Sequence, residues 1–253
     1  MIYIVVLFII LFVGFFGYTT YCNIKQEQEI ERRKKISHYR NIINEMDELL
    51  LNANHIPYSK NLVLMLQNRI LYALKNILEC NPSMNSIRTR IADINKQIEF
   101  VNANYKSGED NPFIPPKDDR GAIGMLKVIS RLRKVARAEH NRGKIDPSAY
   151  VHEDRRLEIL ALKINLTSLI NHARDAFTSR QWGTAKQLIH KGLQVVKTIT
   201  EKDPWIESRE QEFNEMDAAI NRELSELNKK EIHNIEEKEH DELDELFMPK
   251  KKW

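Results

Sequence analysis

Residues 84–105 read MNSIRTRIADINKQIEFVNANY, and the apolar positions Met84, Ile87, Ile91, Ile94, Ile98, Val101 and Tyr105 recur at alternating spacings of three and four. On a helix of 3.6 residues per turn these positions form one stripe, whereas a strand alternates its faces with period two and cannot collect them. The stretch therefore predicts an amphipathic helix that packs side by side with others, opened by Asn81 as a cap with Pro82 in its first turn.

Toward the N-terminus the same spacing returns in Ile36, Tyr39, Ile43, Met46 and Leu50. Between the two stripes, Val63, Leu66, Ile70, Leu74 and Ile77 mark a third helix, and Leu62, Met65, Leu71 and Leu78 widen its apolar surface. That width predicts a central helix with neighbours on two sides. Pro57 and Pro82 break the chain on either side of it, so residues 25–105 should fold back as an antiparallel, coiled-coil-like bundle. A parallel homodimer through the first stripe is the alternative, which would make the chain a homo-oligomer.

Composition agrees with an all-α chain: 42% hydrophobic residues supply a core, while 30% charged residues and only 8 Gly and 8 Pro in 253 residues favour long helices over turn-rich β folds. The length fits one domain or two small ones. Cys22 and Cys80 cannot make a disulfide framework and fit a reducing compartment.

Gly108, Pro112, Pro115 and Pro116 make residues 106–117 a linker. A second helical domain, 118–228, carries Ile159, Leu162, Leu166, Leu169 and Ala173, then Ala185, Leu188, Gly192, Val195 and Ile199, each set spaced by three and four. Pro204 closes that pair, and a last run through Phe213, Ile220, Leu224 and Leu227 leads into an acidic tail, 229–253.

Within the second domain, residues 166–199 resemble a single tetratricopeptide-type helical hairpin. Ala173 is small where the helices would cross, Trp182 is aromatic at the turn, Ala185 opens the second helix, Ile189 is large and Gly192 is small again. Ala176 and Lys197 depart from the pattern, which usually has a large aromatic and a proline there, and no second copy follows. The resemblance implies a protein-binding groove at Ala173, Trp182, Ala185, Ile189 and Gly192. It also implies that the hairpin leans on neighbouring helices, since one repeat cannot bury its own apolar face.

Residues 1–24 carry no charge, and 13 of the residues from Ile2 to Phe16 are Ile, Val, Leu or Phe. At about −0.3 to −0.6 kcal/mol each they favour insertion by roughly −4 to −8 kcal/mol. The segment lacks both the basic start and the small-residue cleavage site of a signal peptide. It is expected to be a single transmembrane helix. Lys25, Arg32, Arg33, Lys34, Lys35 and Arg40 would hold the body in the cytoplasm with the N-terminus outside, at the inner membrane if the chain is bacterial.

No catalytic motif or phosphate-cradling loop is present, and the eight histidines form no metal-ligand cluster, so neither enzyme activity, cofactor nor metal is expected. Between Lys117 and Lys144, nine Lys and Arg residues face only Asp118, Asp119 and Glu139. Lys127, Arg131 and Lys134 share a helix face there, flanked by Arg133 and Arg137, a basic surface suited to phosphates. The tail holds eight acidic residues between Glu231 and Glu245, then apolar Leu243, Leu246, Phe247, Met248 and Trp253, the composition of a docking motif. Together these features predict a membrane-anchored cytoplasmic adaptor or scaffold for an unidentified protein partner. The alternative is a membrane-attached nucleic-acid binder that uses the basic face.

Overall fold

A computed structural model describes residues 2–105, 113–199 and 203–247, with backbone alone for 2–14, 54 and 236–247. The all-α reading holds: seven α-helices and no strand are found among the described residues. They are α1 (Ile2–Leu51), α2 (Lys60–Cys80), α3 (Asn85–Asn104), α4 (Asp119–Asn141), α5 (Pro147–Thr178), α6 (Trp182–Lys197) and α7 (Pro204–Phe247), with one 3₁₀ turn at Asn52–Asn54.

The transmembrane anchor expected at 1–24 is overturned. Among the described residues no helix is long and apolar enough to cross a membrane. The physical reason lies in how the segment is built into the fold. Helix α1 runs without a break into the charged residues from Lys25 onward. The uncharged segment is thus the first part of one 50-residue helix whose remainder is rich in charge. The single-pass topology, the orientation taken from Lys25 to Arg40, the cytoplasmic placement of the body and the membrane as a partner are corrected with it.

The chain forms two compact units, Met1–Phe113 with Val128–Leu157, and Ile114–Lys127 with Glu158–Trp253. Helices α4 and α5 each contribute residues to both. In unit 1, Ile43, Met46 and Leu49 of α1 bury against the α2 residues Leu62, Leu66, Ile70, Leu74 and Ile77. Helix α2 packs on α1 and on α3, as its two-sided apolar surface requires. Only Ile94 of the α3 stripe is fully buried. The other stripe positions are half-buried and the remaining α3 residues exposed, so α3 lies against the rim of the core.

The connection from α1 to α2 is tied at its backbone carbonyls. The Tyr58 hydroxyl donates to the Leu49 carbonyl at 2.6 Å, Arg156 Nη1 donates to the Pro57 carbonyl at 2.6 Å, and the Tyr105 hydroxyl donates to the Tyr58 carbonyl. Ser59 caps α2 by accepting from the Leu62 N–H at 3.0 Å. Asn81 does not cap α3. Its side-chain oxygen accepts from the Ser83 hydroxyl at 2.8 Å in a local turn, and α3 begins at Asn85 without a side-chain cap.

Unit 2 is built on α6, packed against α7, and on the part of α5 from Glu158 onward. Its core holds Leu166, Ile170, Ala173 and Ala176 of α5, Ala185, Ile189 and Val196 of α6, and Ile206, Phe213 and Ile220 of α7. Asp203 opens α7, accepting from the Ile206 N–H at 2.8 Å, and Pro204 takes the first helical position, where its missing donor costs nothing. No Gly or Pro then interrupts the chain before Met248, which lets α7 run for 44 residues.

Candidate functional site

Three arginines of the expected basic face are engaged within unit 1. Arg131 holds Glu48 of α1 with two parallel bonds, Nη1 to Oε1 at 2.7 Å and Nη2 to Oε2 at 3.0 Å, and its Nε lies 3.9 Å from Glu45. This fork keeps the Glu48 carboxyl below the usual carboxylate range. Arg133 forms a second fork on Asp154 of α5, at 2.7 and 2.8 Å, and lowers that carboxyl as well. Arg137 is hydrogen-bonded to Tyr150. Of the five residues, only Lys127 and Lys134 keep exposed side chains with no partner among the described residues. The arginines therefore join α4 to α1 and α5, rather than forming with the lysines one stripe open to phosphates.

The residues of the hairpin resemblance are brought together, but as core. Ala173 and Ala185 are fully buried, Ile189 is 1% exposed, and Gly192 lies directly beneath the ring of Phe213 from α7. Trp182 packs edge-on against Phe177, with ring centroids 5.2 Å apart, and closes the turn between α5 and α6. That turn ends α5 with the Gln181 N–H donating to the Ala176 carbonyl and the Arg180 N–H to the Phe177 carbonyl, each at 2.9 Å, a Schellman arrangement. Arg180 occupies its left-handed position with φ 57°. The inner face expected to hold a partner is thus filled by α7 of the same chain.

A surface open to a partner lies on the other side of unit 2. A groove of about 670 Å³ runs between α5 and α7, lined by Arg174, Phe177, Glu212, Glu215, Met216 and Ala219. Glu212 is held by Arg174 and, at 2.5 Å, by Arg209. Beyond it α7 leaves the core. Leu227, Ile232 and Ile235 are 46%, 56% and 51% exposed; Leu227, two turns on, shares the side of buried Ile220, whereas Ile232 lies roughly 120° round the helix from it. Leu243, Leu246 and Phe247 of the expected docking tail continue this helix as backbone, while Met248 and Trp253 lie outside the described residues.

Among the described residues no group of three or more His, Cys, Asp or Glu is placed to hold a metal ion. Comparison with protein-family models, curated proteins and solved structures gives no match, so the hairpin resemblance stands only on the residues that carry it.

Proposed function

We infer that this chain is a helical adaptor that recruits a basic, amphipathic protein segment onto α7. The observation that carries the reading is the pairing of acidic charge with apolar surface along that helix. From Glu207 to Glu226 seven acidic residues stand against Arg209 and Arg222. Phe177, Met216 and Ala219 supply apolar contacts in the groove, and Leu227 is exposed farther along the helix. An amphipathic helix would lay its apolar side on these residues, while its Lys and Arg face the Glu rim. Recruitment needs no more than presentation of this surface.

The test is fluorescence anisotropy with the full chain and a labelled Lys/Leu amphipathic helical peptide, against a Glu/Leu peptide of the same pattern. The basic peptide should bind and the acidic one should not, with affinity falling at high salt. Met216→Lys and Ala219→Lys should each weaken binding about tenfold, the loss of roughly 1.4 kcal/mol from one buried contact. Equal binding of both peptides, or variants that change nothing, refutes the reading.

A further inference from the structure

We propose that unit 1 carries a separate binding site for a phosphate-bearing small molecule of nucleotide size, in the cleft between α1, α2 and the end of α4. The cleft holds about 640 Å³, within the range of roughly 300–1,000 Å³ typical of small-ligand sites. His38 and Tyr39 come from α1, Tyr72 and Lys75 from α2, and Arg142 and Lys144 from the end of α4 and the turn after it. Glu139 also lines it and is itself only 7% exposed.

The charge around Glu139 does not balance. Its carboxylate is shared by two guanidinium groups, that of Arg69 and that of Arg142, whose Nη1 lies 3.1 Å away. The Arg69 side chain is 10% exposed, and its Nε, also buried, has no hydrogen-bond partner among the described residues. Lys75 and Lys144 add two further cations with no acidic partner among the described residues. Arg142, Lys75 and Lys144 therefore line the cleft beside a single carboxylate that the buried Arg69 already holds. The cleft thus carries an excess of positive charge that attracts an anion. A phosphate group, with several acceptor oxygens and close to two negative charges, matches that excess where a single carboxylate does not.

The end of α4 is shaped to bring these cations in. Gly143 has φ +67°, a backbone position that strains other residues. Its N–H donates to the His140 carbonyl at 2.8 Å, and the Lys144 N–H donates to the Glu139 carbonyl at 3.0 Å. These two bonds cap the end of α4 and turn the chain at Lys144. Opposite, the Tyr39 hydroxyl donates to Asn76 Oδ1 at 3.1 Å, which fixes that ring as a wall of the cleft.

The experiment is isothermal titration of the full chain with adenosine diphosphate and with inorganic pyrophosphate. One equivalent of either probe should bind with saturation, and Lys75→Glu combined with Lys144→Glu should weaken it at least tenfold. Both lysines are exposed, so circular dichroism of this variant should match the parent. Lys134→Glu, which lies outside the cleft, should leave binding unchanged. Absence of saturable binding by both probes overturns the proposal, as does binding that survives the double reversal or is lost equally with Lys134→Glu. The peptide assay on α7 is independent of either result.

Discussion

Gly192→Ala tests whether α7 is seated on the hairpin as described, because two effects of opposite sign meet at that residue. Alanine is favoured over glycine inside a helix by about 1 kcal/mol, so with open space above it the substitution would stabilise α6. Space is absent. A Cβ at Gly192 would stand 2.6 and 2.7 Å from Cε1 and Cε2 of Phe213 and closer still to Cζ, whereas carbon atoms rest at roughly 3.5–4.0 Å. The ring must retreat by about 1 Å. It is fully buried among Ile189, Ile206, Ile220 and Ala185, so the retreat displaces packed neighbours rather than solvent. Overpacking of this kind costs about 1–3 kcal/mol, and with so close an approach the upper end applies, leaving a net loss near 2 kcal/mol after the helix gain. Urea denaturation of the full chain, followed by circular dichroism, measures it; in a thermal scan the same loss is about 4–8 °C. Phe213→Leu in the same chain supplies the control. The double variant should recover much of the Gly192→Ala loss, since a smaller side chain leaves room for the new methyl, and the coupling should reach about 1 kcal/mol or more for residues in direct contact. A Gly192→Ala chain as stable as the parent, or more so, would refute the packing of Phe213 on α6.

Two further substitutions probe the turns and ion pairs that shape the units. Arg180→Gly removes a left-handed residue at φ 57° and should stabilise the chain by about 1 kcal/mol in urea denaturation; an unchanged midpoint would mean the turn does not hold that conformation. Asp154→Asn removes the carboxylate that Arg133 grips. Because the folded-state pKa of Asp154 is depressed, its contribution is present above the ordinary value near 3.9 and is lost as pH falls through the lower folded value. The variant should be less stable than the parent by about 1 kcal/mol at pH 7, and the gap should close below about pH 4; a gap independent of pH would exclude the ion pair as its source.

The sequence makes the helices visible because their periodicity is local, and hides what joins them because partners are distant. The spacing of Met84 to Tyr105 contains its own test, and every one of those positions is buried or half-buried while the other residues of α3 are exposed. Nothing near Arg131 announces Glu48, 83 residues away, and a run of cations with few neighbouring acids reads as a free face until the distant carboxylates arrive. The apolar run at the N-terminus misleads in the same way, since the segment read by itself omits the charged helix into which it continues.

The small residues of the hairpin carry this contrast into function. Ala173, Ala185 and Gly192 were legible as a close crossing, because only small side chains let two helices approach. A close approach does not reveal whose side chain fills it. Phe213 lies 21 positions beyond Gly192 in a run that reads equally well as an independent amphipathic helix, and its ring occupies the place that the resemblance reserves for a partner. Once α7 has spent one face on the hairpin, the groove along α5 and the acidic stretch past Leu224 are the surfaces of that helix left to meet another protein. The same residues that end the hairpin's claim to a binding groove therefore give α7 a fixed position and an outward side. A substitution at Phe213 should accordingly weaken recruitment on α7 without touching a single residue that contacts the peptide.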